Sequence, residues 1–253
     1  MDRWSQWPDR PRAQRTAIIA QLMAKLGHLG RPCWLPVVKA GDGPAVGSKF
    51  GGAAWLQAGE TWPICPNCEQ PMQLFLQLDL ETLPDELQDD FGQGLVQLFY
   101  CTTQEPQCWD ECEAYLPHAR STLSRRVDPG EGGSASVLDD TREAFAPRRI
   151  VGWAKVAADL PSFEEHGDIK LTEDEDEAWE ALELPTPGDK LAGWPAWSQG
   201  VEYPACRDCG RTMRQLFQLG SEDHLPHSFG RGGVAHLMQC PDHQDELAFV
   251  WRD

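Results

Sequence analysis

Cys206-x-x-Cys209 followed by Cys240-x-x-His243 is the arrangement in this chain whose residue types and spacing most directly imply chemistry. A Cys-x-x-Cys turn presents two sulfurs to one ion, and a second segment must supply the remaining ligands of a tetrahedron. The four residues make a zinc-ribbon pattern with every ligand present. An earlier stretch offers Cys65, Cys68 and Cys101, but Gln104 stands where His243 stands in the later set. Its fourth ligand must come from elsewhere, either Cys108 or Cys112. Cys108 leaves the shorter loop from Cys101 and is preferred. Four protein ligands close a zinc site to water, so the pattern predicts two structural Zn2+ ions, each contributing on the order of 10 kcal/mol to folding. Cys33 has no partner in this scheme and reads as a buried thiol. A redox dithiol at Cys65 and Cys68 is the rival reading. It is weakened because these cysteines precede a strand, whereas redox motifs open a helix.

Catalytic patterns are missing where they would be expected. Residues 41–49 end in Gly47-Ser48-Lys49 but lack the Gly-Lys-Ser/Thr order of a phosphate loop. There is no His-Glu-x-x-His, no Gly-x-Ser-x-Gly elbow, and no deaminase His-x-Glu. The densest polar cluster runs from Glu222 through His224 to His227; capping a turn is its plain role and hydrolase-type chemistry the alternative. Trp55, Trp194 and Trp197 either pack in the core or line a peptide groove.

These residues need elements to position them, and the patterns of the chain supply most of them. Residues 9–29 read as an amphipathic helix with Asp9 as cap, Pro11 in the first turn, and Ile18, Ile19, Leu22, Met23 and Leu26 on one face. Leu74, Leu76, Leu78 and Leu80 alternate as a half-buried strand requires. Further strands are expected over residues 95–100, 122–127, 149–156, 214–219, 234–239 and 246–251, with a short helix from Pro84. Residues 128–136 read as a loop. Residues 164–184 carry ten acidic side chains and form either a solvated helix around Trp179 and Leu182 or an acidic linker, with a docking site for a basic client as the further reading.

Much of this pattern occurs twice. Residues 48–79 align without gaps on residues 189–220 at an offset of 141, matching Lys49 with Lys190, Pro63 with Pro204, Cys65 and Cys68 with Cys206 and Cys209, and Gln77 with Gln218. The match resumes at an offset of 139, pairing the run from Gly94 to Cys101 with the run from Gly233 to Cys240. A gene duplication and a pseudo-twofold arrangement are the expected cause.

Composition narrows the setting. The chain has 253 residues, 41% of them apolar, and a formal charge of −18 from 40 acidic and 22 basic residues. That field repels a phosphate backbone, so nucleic-acid binding is not expected, whereas a basic protein partner would be attracted. No apolar run reaches the roughly 20 residues of a membrane span. Met1-Asp2-Arg3-Trp4 lacks a secretory leader pattern, and nine cysteines are an odd number, so a cytoplasmic protein with reduced thiols is expected.

Several of these motifs together resemble a known family. Lys49-Phe50-Gly51-Gly52, Trp62-Pro63, Cys65-x-x-Cys68, the run Leu98 to Cys101, Gly193-Trp194-Pro195 and the closing Phe249-Val250-Trp251 resemble the YwqG-like bacterial proteins of unknown function. More distantly the chain is similar to the programmed cell death protein 2 family. The resemblance spans roughly residues 35–253 and implies a β-rich α+β fold with internal pseudo-symmetry. It also implies binding in place of catalysis: the eukaryotic relatives are chaperones for a ribosomal protein, and some bacterial ones lie beside secreted toxins as immunity proteins.

The expected architecture is therefore α+β and mainly antiparallel β, with two duplicated halves that each carry a zinc-ribbon-like site. Residues 1–34 form an N-terminal helical extension, 35–160 the first repeat, 161–188 an acidic connector and 189–253 the second repeat. The expected function is a zinc-stabilised protein-binding module for a basic partner, chaperone-like or immunity-type. An enzyme near the His224–His227 loop is the alternative.

Overall fold

The amphipathic stretch after Pro11 forms helix α1, Arg12–Leu26, which buries Ile18, Leu22 and Leu26. Asp9 does not cap it. Pro11 takes the N-cap position in an extended conformation and no side chain bonds the first amides; Asp9 lies two residues further out, beyond reach of those amides. The computed structural model describes residues 7, 9–130, 132–138, 144–167 and 169–253. Residues 1–4, read above for a leader, lie outside them.

The chain continues through β1 (Arg31–Ala40), β2 (Lys49–Phe50), β3 (Ala54–Leu56), β4 (Gln73–Asp79), β5 (Leu95–Tyr100), α2 (Cys108–Glu111), β6 (Thr122–Val127) and β7 (Ser134–Ser136). Then follow β8 (Arg148–Asp159), α3 (Phe163–His166), α4 (Glu173–Ala181), β9 (Lys190–Ala192), β10 (Arg214–Gly220), β11 (Val234–Gln239) and β12 (Leu247–Arg252). All but β3 and β7 join one antiparallel ten-stranded sheet in the order β12-β11-β10-β9-β1-β8-β2-β4-β5-β6. β3 and β7 pair separately, so the expected loop over residues 128–136 ends in a short strand. The helix expected at Pro84 is a single 3₁₀ turn, Asp85–Leu87.

A sheet this wide twists, and its two ends come round to meet. The Ser124 hydroxyl donates to the Leu247 carbonyl (3.4 Å), Arg126 Nε pairs with Asp245 (2.6 Å), and Arg252 donates to the Tyr115 carbonyl (2.9 Å). These contacts cover edges that would otherwise offer unpaired backbone to another chain. The same curvature explains why β4, expected to be half-buried, has both faces covered. One face meets the main core and the other packs under the loop that carries Cys65 and Cys68.

Two short strands, β2 and β9, flank the central β1–β8 ribbon and are held by equivalent contacts. Lys49 lies opposite Gln77 and Lys190 opposite Gln218. The Gln77 amide accepts from Trp55 N and donates to the Ala45 and Gly47 carbonyls. Gln218 accepts from Ala196 N and donates to Thr186 and Gly188, each partner displaced by 141 residues. Both lysines are buried. Lys190 Nζ meets the equally buried Asp159 at 2.8 Å, whereas Lys49 Nζ donates to the Ala53 carbonyl at 3.0 Å with Asp42 at 3.4 Å.

The main core draws on both flanks of the sheet, with Phe50 against Phe217 at 5.9 Å between ring centroids and Tyr100 against Phe249 at 5.9 Å. A separate cluster packs α1 on α4 through Leu22, Leu26, Leu160, Ala178 and Trp179. The acidic stretch is thus not a solvated linker throughout. Thr172 and Glu175 form a capping box at the start of α4. Glu175 and Glu177 are buried against Lys25 and Arg10 of the N-terminal segment.

Candidate metal centres

The first donor set is assembled from three pieces of chain. An isolated bridge between Ile64 and Pro71 sets up the tight turn, in which Cys65 N donates to Gln70 O and Glu69 N to Cys65 O, both at 2.8 Å. Both sulfurs of the turn then face the end of β5, where Cys101 sits, and the first turn of α2, where Cys108 sits. Ligand atoms of Cys65, Cys68, Cys101 and Cys108 all lie within 4.8 Å of one another. Cys68 Sγ is 3.6 Å from Cys101 Sγ, and Cys65 Sγ is 4.0 Å from Cys108 Sγ. Cys112 follows α2 and is not one of the four.

The second set repeats this construction. A bridge between Ala205 and Thr212 closes the turn, with Cys206 N donating to Arg211 O and Gly210 N to Cys206 O, again at 2.8 Å. Glu69 and Gly210 occupy the same place and share a positive φ, 58° and 71°. A left-handed residue at that point turns the chain back, so that the next carbonyl accepts from the amide of the first cysteine. Cys240 ends β11, and the short return to β12 brings up His243: Cys209 Sγ lies 3.7 Å from Cys240 Sγ, and His243 Nδ1 is 3.6 Å from Cys206 Sγ and 3.9 Å from Cys240 Sγ. A tetrahedral site with metal–sulfur bonds of about 2.3 Å has edges of about 3.8 Å. The separations in both sets bracket that value, so each group could hold one ion.

Side chains that sequence reasoning did not single out complete the first set. Asn67 donates to Cys108 Sγ (3.3 Å) and to Glu111 (2.9 Å), and the Thr103 hydroxyl lies 3.2 and 3.3 Å from the sulfurs of Cys101 and Cys68. Such bonds orient thiolates and spread their charge. Asn67 sits inside the Cys-x-x-Cys turn, and that position was the available signal. Around the second set, Arg207 pairs with Glu246 at 3.1 Å and Arg211 with Asp242, so the exposed rim is tied by ion pairs.

The remaining singled-out residues separate into distinct places. Cys33 is buried, its thiol pushed up to about 11 first by burial and then by Asp159. Lys49 is buried in β2, which removes it from any phosphate loop. Trp55 is a core residue; Trp194 donates to the Leu29 carbonyl with the Arg31 guanidinium over its ring, and Trp197 packs on Tyr203 and His236. Trp55 is buried, whereas Trp194 and Trp197 are half-buried.

His224 and His227 face different surroundings. His224 Nδ1 bonds the buried Asp189 carboxylate at 2.7 Å, which raises the imidazole above its ordinary value, and its ring stacks on Phe50 at the wall of an open cleft that includes Arg148. His227 is enclosed by Phe75, Tyr100 and Phe229, and burial pushes it down to about 4. Asp189 was missed in the sequence because its partner is thirty-five positions away (|i−j|=35).

Among the described residues no helix is long and apolar enough to cross a membrane. A family model described as "Domain of unknown function (DUF1963)" matches residues 48–249, which include both donor sets. The chain is also similar to a protein of Salmonella typhimurium described as uncharacterized protein YpfL, at 28% identity over 183 residues. That match covers 71% of this chain and 37% of the relative, so this chain spans well under two thirds of the relative's length.

Proposed function

The chain belongs to the DUF1963 family, and from that premise we propose that it is a zinc-stabilised protein-binding module for a basic partner, chaperone-like or immunity-type. The closure of both donor sets carries this reading. Three or four cysteine sulfurs per set suit zinc by their softness, and four protein donors leave no open position for water or substrate, which assigns the ions to folding. Thiolate ligands of this kind also fit a reducing, cytoplasmic setting. The hydrogen bonds that recur about Gln77 and Gln218 support an origin by duplication, with a zinc-ribbon-like site in each repeat, as the resemblance to YwqG-like proteins implies.

With the ions assigned to the scaffold, the surface is left to carry function, and its charge favours a basic partner. Glu105, Asp110, Glu111 and Glu113 are exposed around α2, on a chain of net charge −18. Glu175 and Glu177 are withdrawn into ion pairs, so the α2 region is the better docking surface. Attraction of this kind accelerates association and weakens with salt. The test is capture at low ionic strength, identification by mass spectrometry, and association kinetics with the purified partner over a range of salt. A basic partner whose association rate falls steeply with salt, and falls again when Glu105, Asp110, Glu111 and Glu113 are made neutral, is expected. An association rate indifferent to both sinks the reading.

One observation favours a second reading. The Asp189–His224 pair at an open cleft with Arg148 has the form of an oriented general base. Turnover in a broad hydrolase screen that His224→Gln abolishes would support that enzyme.

A further inference from the structure

Tyr100, Trp109, His227 and Trp251 wall a cavity of about 220 Å³ beside the first donor set. It lies where the end of β5 meets the loop before β11, which comes from the opposite flank of the sheet. The equivalent place on the other flank carries a hydrogen-bonded side chain. Tyr100 stands opposite Gln73 just as Gln239 stands opposite Arg214, so Gln239 occupies the register position of Tyr100. Its amide donates to the Phe91 carbonyl (3.0 Å) and the Gln244 carbonyl (2.8 Å), and Gln244 in turn donates to the Asp90 carbonyl (3.3 Å). Two glutamines thus tie one position with hydrogen bonds, while its counterpart is an aromatic ring at the wall of a cavity.

The walls define what would fit. Trp109 and Trp251 present indole surfaces with centroids 6.2 Å apart. Buried and neutral at pH 7, His227 offers one donor and one acceptor. A full charge would lose its hydration here. The adjoining groove, which shares Trp109, Gly230 and Trp251, carries Arg231, Arg252 and Asp253 and so favours a charge of neither sign. Size sets the last limit: an apolar cavity of about 150 Å³ holds benzene, so this one takes a ring with a substituent.

We propose that this cavity is a binding site for a planar, uncharged aromatic or heteroaromatic ring that packs on Trp109 and Trp251 and hydrogen-bonds His227. Cys101 of the first donor set also lines the cavity, but the proposal invokes neither an ion nor surface charge and is tested separately from the zinc and partner-docking readings.

The experiment uses the full chain, labelled with nitrogen-15, titrated with phenol and with indole while the indole N–H signals of Trp109 and Trp251 are followed. Cyclohexanol, similar in size to phenol but not planar, is the third probe. Saturable shifts at both tryptophans with a dissociation constant of about 1 mM or tighter are expected for at least one ring, with cyclohexanol at least about tenfold weaker. Trp109→Ala, at a half-buried position, should weaken the ring by a further factor of about ten. Ser228→Phe, which fills the cavity, should abolish binding and provides the same reading if Trp109→Ala does not fold. Absence of saturable shifts with both rings overturns the proposal. So does equal binding of cyclohexanol, or affinity unchanged in a folded cavity variant.

Discussion

Each cysteine here is defined by what its sulfur can reach. Cys108 and Cys112 are one helical turn apart, and only Cys108 is brought to Cys65, Cys68 and Cys101. With one zinc ion in each donor set, as proposed, Cys108→Ser should therefore lose one of the two by elemental analysis and lower the melting temperature, while Cys112→Ser should keep both. Retention of two ions by the Cys108 variant would remove the first site. At His224 the controlling contact is Asp189, which raises the imidazole above its ordinary value of about 6.5. Protonation then favours the folded chain: the contribution is full below about pH 6.5 and is lost as pH climbs through the raised value. A titration followed by NMR should show a midpoint above the ordinary value, and Asp189→Asn should bring it down. An unchanged midpoint in that variant would separate the two residues.

Among the elements, the short strands β2 and β9 depend on single buried lysines, and their partners differ in exposure. Asp159 is as buried as Lys190, whereas Asp42 is 37% exposed beside Lys49. Lys190→Met leaves a carboxylate uncompensated in the interior and should cost about 3–5 kcal/mol. Lys49→Met should cost clearly less, because water can reach Asp42. Chemical denaturation of the two variants checks the order, and equal losses would contradict it. Helix α4 is fastened to the N-terminal segment by Arg10 and Lys25 on Glu177 and Glu175. Glu175→Gln with Glu177→Gln should lower the melting temperature by a few degrees and quicken amide exchange in α1, while Glu180→Gln, at an exposed position, should leave both unchanged. Equal exchange in all variants would show that packing of Leu22 and Trp179 suffices.

In the whole molecule, one sheet and its main core join the two flanks. Phe50, Phe75 and Tyr100 pack among Phe217, Phe229 and Phe249, so neither flank can lose its structure while the other keeps its core. Calorimetry should accordingly show a single unfolding transition, and a chelator should shift that same transition downward. Two resolved transitions would mean that each flank and its donor set fold independently.

The sequence by itself determined the donor types, the repeat and most of the long strands, because these are local. A Cys-x-x-Cys turn is made by neighbouring residues, and the runs over 95–100 and 234–239 are apolar enough to be strands wherever they pack. The pattern also showed that Cys101 needed one more sulfur, but it left two candidates. Tertiary structure alone decided between them, since the α2 turn brings the sulfur of Cys108 to the other three. It alone decided that β4 is covered on both faces, that Glu175 is an internal anchor, and that Asp189 meets His224. Each of these depends on residues brought together by closure of the sheet. Side-chain burial and pairing arise from that three-dimensional meeting, and no spacing along one strand or helix encodes it.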